Sequence, residues 1–352
     1  TLPAGPHADA ETAATLRAAT AAAKTLVAIG AGTINDLCKY AAALDGKPYV
    51  SFATAPSMNG YTSMNAAITI DGHKKSLRAA APVGVFIDLA VLARAPKRMI
   101  RSGLGDSVAR PTAQADWLLA HLLLGEPYRA APFALLAPDE NALLAAPEAL
   151  MGGELRAMER LARTLVLSGF GMTICGSSHP ASEGEHLISH TIEMMAGPDI
   201  PPSFHGEQIA VTTLTMARLQ ERLLDGPAPR LRASTVTEVE VVAYFGAELG
   251  RACWRDVAPK RLDDARAEAL SARLAAHWEA WRARIKAVTR PAAVLEDVLS
   301  RAGAPTRPAD LGWPDGFYRD AVRHARLIRD RYSFLDLAAD SGVLEDFIAN
   351  GL

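Results

Sequence analysis

Over the first hundred positions, apolar residues fall into short runs closed by Gly or Pro, with stretches of helical period between them. Thr25–Ile29 (TLVAI) is an apolar run that ends at Gly30, the pattern of a buried strand in a parallel sheet. Tyr49–Ala53 (YVSFA) and Val83–Asp88 (VGVFID) predict two further strands. Ala10–Ala23 is Ala-rich and predicts a helix. Asn35–Leu44 predicts another, with Leu37, Tyr40, Ala41 and Leu44 at helical spacing. Ala67–Ile70 followed by Asp71-Gly72 predicts one arm of a hairpin and its turn.

From about Met99 the pattern changes to long Ala/Leu/Arg/Glu stretches with apolar residues at i, i+3 and i+4. Helices are expected at Ser107–Leu124, Glu140–Ser168, His186–Met195, Gln208–Leu224, Val236–Leu249 and Ala265–Thr289. A Pro/Gly-rich segment, Arg301–Gly316, precedes two more, Phe317–Ser333 and Leu335–Ile348. The layout expected is an α/β nucleotide-binding domain with a Rossmann-like parallel sheet over 1–98, then an all-helical domain over 99–352. The first strand comes early for such a domain and the chain opens on Thr1 with no leader visible, so N-terminal residues are expected to be missing. The segment Leu231–Leu352 carries no legible chemistry; Trp278 and Trp281 read as one core-facing patch.

Composition narrows the function classes. Apolar residues make up 49% and charged residues 22%, with a net charge of −2 and the two signs interspersed. No basic stripe suggests nucleic acid, and no polybasic cluster or long apolar run suggests a membrane. Cys38, Cys175 and Cys253 lie far apart, which fits unpaired thiols in a reducing, cytoplasmic setting.

Two loops could hold a nucleotide. After the first strand comes G-A-G-T-I-N-D (Gly30–Asp36), where Gly lets a phosphate approach the backbone and the following helix start offers free N–H groups. The third position of a full GxGxxG is Asn35, so a tight turn with no ligand fits equally well. The loop Ala53–Asn65 packs Thr54, Ser57, Asn59, Thr62, Ser63 and Asn65 after a buried strand, where α/β sheets bind ligands, although a polar surface loop would look the same.

A metal is suggested further along. Asp106 stands in G-L-G-D, where it could simply cap a helix. Four of the nine histidines (179, 186, 190 and 205) fall within 27 residues, and His186 and His190 share a helix face. Any one of them alone is an ordinary structural histidine. Together with a carboxylate they form the donor set a divalent Lewis acid needs to hold an alcohol or carbonyl oxygen.

The segments GAGTINDLCKYAA, SFATAPSMNGYTSMNAAI, GLGDSVAR, GSSHPASEGEHLISH and FHGEQIA occur in the order seen in the iron-containing alcohol dehydrogenase and dehydroquinate synthase-like superfamily. From Leu26 to Leu219 the chain most resembles the glycerol-1-phosphate dehydrogenase branch. That resemblance implies metal ligands Asp106, His186 and His205 holding zinc, nickel or iron. It implies NAD or NADP against Gly30, Ala31, Gly32, Thr33 and Asp36, with Thr54, Ser57 and Ser63 lining the cofactor. It places His190 near the substrate and Lys74 or Lys75 near the cleft. The implied substrate is a small polyol phosphate or its ketone, and the implied assembly is a homodimer or larger. Asn59 stands where relatives carry Asp, and His179 where close relatives carry Arg, so both bear on substrate choice. A dehydroquinate-synthase-like cyclase, another iron-type alcohol or glycerol dehydrogenase and a catalytically silent homologue are the competing expectations.

Overall fold

The computed structural model describes residues 2–3, 5–70 and 73–352. The turn expected at Asp71-Gly72 and the side chain of Lys74 lie outside the described residues. The α/β part runs α1 (Ala10–Ala19), β1 (Leu26–Gly30), α2 (Gly32–Leu44), β2 (Tyr49–Ala53), β3 (Asn65–Ile70), β4 (His73–Arg78) and β5 (Gly84–Ile87). The helical part follows with α3 (Leu89–Ala93), α4 (Lys97–Ser107), α5 (Arg110–Leu124), α6 (Ala131–Ala145), α7 (Pro147–Gly152), α8 (Leu155–Cys175), α9 (Gly184–Met195) and α10 (His205–Asp225). It ends with α11 (Glu238–Phe245), α12 (Ala247–Val257), α13 (Asp264–Lys286), α14 (Ala292–Arg301), α15 (Asp315–His324), α16 (Phe334–Ser341) and α17 (Leu344–Asn350). The architecture is a parallel sheet domain joined to a helical one. No helix among the described residues is long and apolar enough to cross a membrane.

The sheet is parallel in the order β1-β2-β5, with Ile29, Phe52 and Phe86 in register. Leu26, Ala28 and Tyr49 turn to the buried side and pack with Cys38, Ala41 and Ala42 of α2. Val27, Ile29 and Phe86 face the other way and are exposed, an open face on a sheet type usually covered on both sides. β3 and β4 form a separate antiparallel arm.

Several expected boundaries move. α2 begins at Gly32 rather than Asn35, so the glycines belong to the helix entry itself. Three expected long helices are broken. Pro147 and the left-handed Gly153 divide 131–175 into three, Gly246 (φ +83°) separates α11 from α12, and Gly342 (φ +78°) separates α16 from α17. Each glycine adopts a backbone that a side chain disfavours, which ends the helix despite continuous apolar spacing. Phe317–Ser333 is helical only to His324, where a 3-10 turn (Ala325–Leu327) takes over. α4 and α14 carry too few apolar residues, or too much Pro and Gly nearby, to stand out in the sequence. Trp278 is buried in the large helical core with Leu274 and Phe334, while Trp281 packs at its margin against His277.

One buried cation fixes the ligand loop to the sheet domain. Lys39 of α2 is fully enclosed, and its Nζ donates to the carbonyls of Gly60 (2.6 Å) and Asn65 (2.9 Å) and to Ser63 Oγ (3.3 Å). Burial lowers its pKa, and Asp36, 3.7 Å away, opposes that shift. Replacing it removes three charge-assisted bonds from the interior and leaves Ser63 as the remaining donor to the Gly60 and Asn65 carbonyls. Lys39→Met is expected to lower stability by about 3 kcal/mol in urea unfolding. A loss below about 1 kcal/mol would mean that water replaces the ammonium.

Candidate metal centre

Asp106 lies in the last turn of α4, His186 in the first turn of α9, and His205 is the first residue of α10. One ligand atom from each lies within 4.8 Å of the others. His186 Nε2 is 3.8 Å from Asp106 Oδ1, and the rings of His186 and His205 are 5.2 Å apart. The helix-cap role considered for Asp106 is not what the structure has. Asp106 sits at the end of a helix, and its carboxylate accepts instead from the backbone N–H of Asn59 (2.7 Å) and from Asn59 Nδ2 (3.3 Å).

The convergence depends on missing side chains. A Cβ on Gly105 would stand 2.0 Å from the Gly206 carbonyl oxygen, and one on Gly206 would stand 1.8 Å from that of Ser102. α4 and α10 therefore touch backbone to backbone, which brings Asp106 and His205 to the same point. Ser102 Oγ completes the junction: it donates to Ser57 O (3.0 Å) and accepts from Gly206 N–H (3.2 Å). Arg98 grips Glu207 through two bonds (2.6 and 2.8 Å), and Glu207 accepts from Phe204 N–H, which fixes the entry of α10.

The ligand atoms are oriented by groups not singled out in the sequence. Glu185, fully buried, holds His186 Nδ1 at 2.8 Å, so Nε2 turns toward Asp106. Thr112 Oγ1 donates to the other Glu185 oxygen at 3.1 Å. A carboxylate behind an imidazole fixes its tautomer and raises its basicity as a ligand. Burial acts to raise the Glu185 pKa, but the bonds from His186 and the backbone win, and it stays below its ordinary value. Asp106 goes the other way: burial pushes it up to about 6 against the pull of His186 and Asn59. Two imidazoles and a carboxylate, largely enclosed, suit a divalent first-row cation.

The other predicted residues divide. His190 stacks near the ligand rings, 6.0 Å from His186 and 6.1 Å from His205, and burial lowers its pKa to about 4. His179 lies against Trp117 (5.3 Å, nearly parallel), with Nδ1 2.5 Å from Glu183. Lys75 is exposed on the β3–β4 arm. Around the cradle, Gly30 and Gly32 leave space that a Cβ would fill against Ile34 and Met58, and Ala31 precedes α2 with no side-chain cap. The first N–H groups of α2, near the exposed Thr33, thus remain open to an anion. Thr54 N–H binds Gly30 O (3.1 Å), and Ser57 lies at the junction with Ser102. Asp36 and Ser63 point inward, Asp36 to Ala67 N–H (3.1 Å) and Ser63 to Gly60 and Asn65 carbonyls.

The family model for iron-containing alcohol dehydrogenases matches residues 1–96. A glycerol-1-phosphate dehydrogenase of Bacillus velezensis is 31% identical over 326 residues, covering 91% of this chain and 71% of that protein. Its counterpart in Pyrococcus furiosus is 37% identical over 196 residues, 56% of each chain. Among solved structures, a probable glycerol dehydrogenase from Sinorhizobium meliloti superposes with a TM-score of 0.63 at 18% identity, covering 98% of this chain and 84% of that one. Glycerol dehydrogenase from Schizosaccharomyces pombe gives 0.62 at 18%, covering 99% and 76%. The fold is thus that of the iron-type dehydrogenases. The chain belongs to the iron-containing alcohol dehydrogenase family, in its glycerol-1-phosphate dehydrogenase branch. Family membership and the donor set together support NAD(P) and a divalent cation as its cofactors.

If Glu185 sets the His186 ring, Glu185→Gln should leave the protein folded but lower zinc affinity by roughly 10- to 100-fold in a chelator competition titration. An unchanged affinity would remove Glu185 from the site.

Proposed function

We propose that this chain is an NAD(P)-linked, metal-dependent dehydrogenase that interconverts a small polyol phosphate and its ketone, with sn-glycerol 1-phosphate and dihydroxyacetone phosphate as the pair. The observation that carries this is the convergence of Asp106, His186 and His205 in a chain whose relatives include glycerol-1-phosphate dehydrogenases. A divalent cation held by these three, zinc, nickel or iron, would supply a Lewis acid for the substrate oxygen, and NAD(P) would accept or return the hydride.

The chain's own groups do the positioning. Asn59 holds Asp106 through two bonds, so the loop between the cradle and the hairpin arm is tied directly to a ligand. Asn59 therefore acts on Asp106 as much as on any substrate, and Asn supplies the donor there that Asp could not. Gly30, Ala31, Gly32 and Thr33 offer the cofactor phosphates an uncapped helix start. His190 stands beside the ligand imidazoles, where a proton can pass to or from the substrate oxygen. Cys38, Cys175 and Cys253 are free thiols, which fits a cytoplasmic setting.

The test is turnover of dihydroxyacetone phosphate with NADH or NADPH. Prolonged EDTA treatment should abolish it, and one of Zn²⁺, Ni²⁺ or Fe²⁺ should restore it. His186→Ala should lower kcat by at least about 100-fold, since several kcal/mol of charge stabilisation depend on the cation. Full activity after complete metal removal, or none with any triose phosphate under any of the three metals, would defeat the proposal.

A further inference from the structure

A small cavity lies against Asp106. Its polar lining includes Asn59, Asp106, Arg110 and Thr164, and Leu136 and Leu165 are on its apolar side. Three separate elements bound it: the end of α4 with the start of α5, the middle of α8, and the loop at Asn59. α8 is pressed onto that loop. A Cβ on Gly169 would stand 2.6 Å from the Asn59 carbonyl oxygen. Thr62 Oγ1 donates to the Val166 carbonyl (2.7 Å), and Thr173 Oγ1 donates to that of Thr62 (3.1 Å). The wall that carries Thr164 is therefore set by backbone contacts and has little freedom to shift.

Most of the polar capacity around this cavity is already spent. Asn59 donates twice to Asp106, and Ser107 Oγ donates to the Gly103 carbonyl (2.9 Å). The two terminal nitrogens of Arg110 are taken by Gln114 (3.0 Å) and by Glu140. Two groups are not spent. Thr164 is 3% exposed, and its hydroxyl has no hydrogen-bond partner. Arg110 Nε, also enclosed, has none either. A buried hydroxyl or N–H left without a partner costs stability, so a pair of them on one cavity calls for a ligand that completes both. The cavity has room for a single water-sized group. A phosphate with its four oxygens is too large for it; one hydroxyl is not.

We propose that Thr164 and Arg110 are specificity-determining residues that take the free hydroxymethyl end of the substrate, its hydroxyl donating to Thr164 Oγ1 and accepting from Arg110 Nε–H. The inference rests on the dehydrogenase reading above. Asp106 is common to both places: it is one of the three converging donors and it lines the cavity. The two places are thus adjacent, as the carbonyl carbon and the hydroxymethyl carbon of a ketose are. A substrate with a methyl group there would displace water and leave both protein groups stranded, which is how a polar pocket rejects an analogue that lacks a hydroxyl.

The test compares dihydroxyacetone phosphate with hydroxyacetone phosphate, which carries CH3 in place of CH2OH. Wild type, Thr164→Val and Thr164→Ser are loaded with Zn²⁺, and calorimetric Kd and kcat/KM with NAD(P)H are measured for both ketones. Wild type should prefer dihydroxyacetone phosphate by roughly 10- to 100-fold in Kd and in kcat/KM. Thr164→Val should cut that preference about 10-fold, and Thr164→Ser, which keeps the hydroxyl, should retain it. The Thr164→Val melt should equal or exceed that of wild type, since an unpartnered hydroxyl is replaced by a group of the same shape. A lower melt would show that the fold itself uses the hydroxyl and would overturn the proposal. No preference in wild type would overturn it as well, leaving the cavity to a bound water, and so would a preference that survives in Thr164→Val. If neither ketone is turned over but the binding preference is present and lost in Thr164→Val, the hydroxymethyl pocket stands and the dehydrogenase reading falls. If neither ketone binds, both fall.

Discussion

The site depends on two helices meeting without side chains between them. Gly105 of α4 and Gly206 of α10 allow the backbones to close to a distance that any Cβ would prevent, and Asp106 and His205 are the residues next to those glycines. A single methyl group at either position would separate the helices before it disturbed any polar contact. Both bracing systems nearby assume the same close approach. Ser102 bridges the loop at Ser57 to the start of α10, and Arg98 with Glu207 sets the angle at which α10 enters.

The third member of the candidate metal centre, His186, arrives by a different device. Gly184 N–H, Phe334 N–H and Gln220 Nε2 all donate to the buried Asp116 of α5, at 2.9, 2.9 and 3.3 Å. That one carboxylate fastens the start of α9 to the start of α16, whose bonded residues Gly184 and Phe334 are 150 positions apart in sequence. Burial raises its pKa well above the usual range, and Glu185 adds to this, so its acceptor role is maintained by hydrogen bonds rather than by a cation. The same corner receives Arg331, so the C-terminal helices act as a clamp on the ligand helix.

Much of this was legible along the chain, for identifiable reasons. Tyr49–Ala53 is a strand to the residue, because an apolar run between Pro48 and the polar loop has one regular solution. Asp106, His186, His190 and His205 could be gathered because imidazoles are scarce and four of them fall close together. That Asp106 ends a helix rather than capping one was not legible, because GLGD resembles a helix entry unless α4 is seen to precede it. Glu185 adjoins a predicted ligand, and the Glu-His pair in GEH was the signal that could have marked it. Gly246 and Gly342 carried a visible breaker signal that the apolar period on either side concealed.

Arg329 and Arg331 mark the limit of what one sequence can show. They lie in R-D-R-Y, a string with no catalytic signature, and Arg331 bonds to a loop some 150 residues away in sequence. On a helix or strap surface, such charges are usually solvated and contribute little. What distinguishes the two is partnership, which exists only after folding. Arg331 is consumed in holding the loop before α9, whereas Arg329, two residues away, makes no hydrogen bond or ion pair among the described residues. The loop before α9 is therefore held by the helical domain's last third, although every motif that first pointed to the chemistry lies before Leu219.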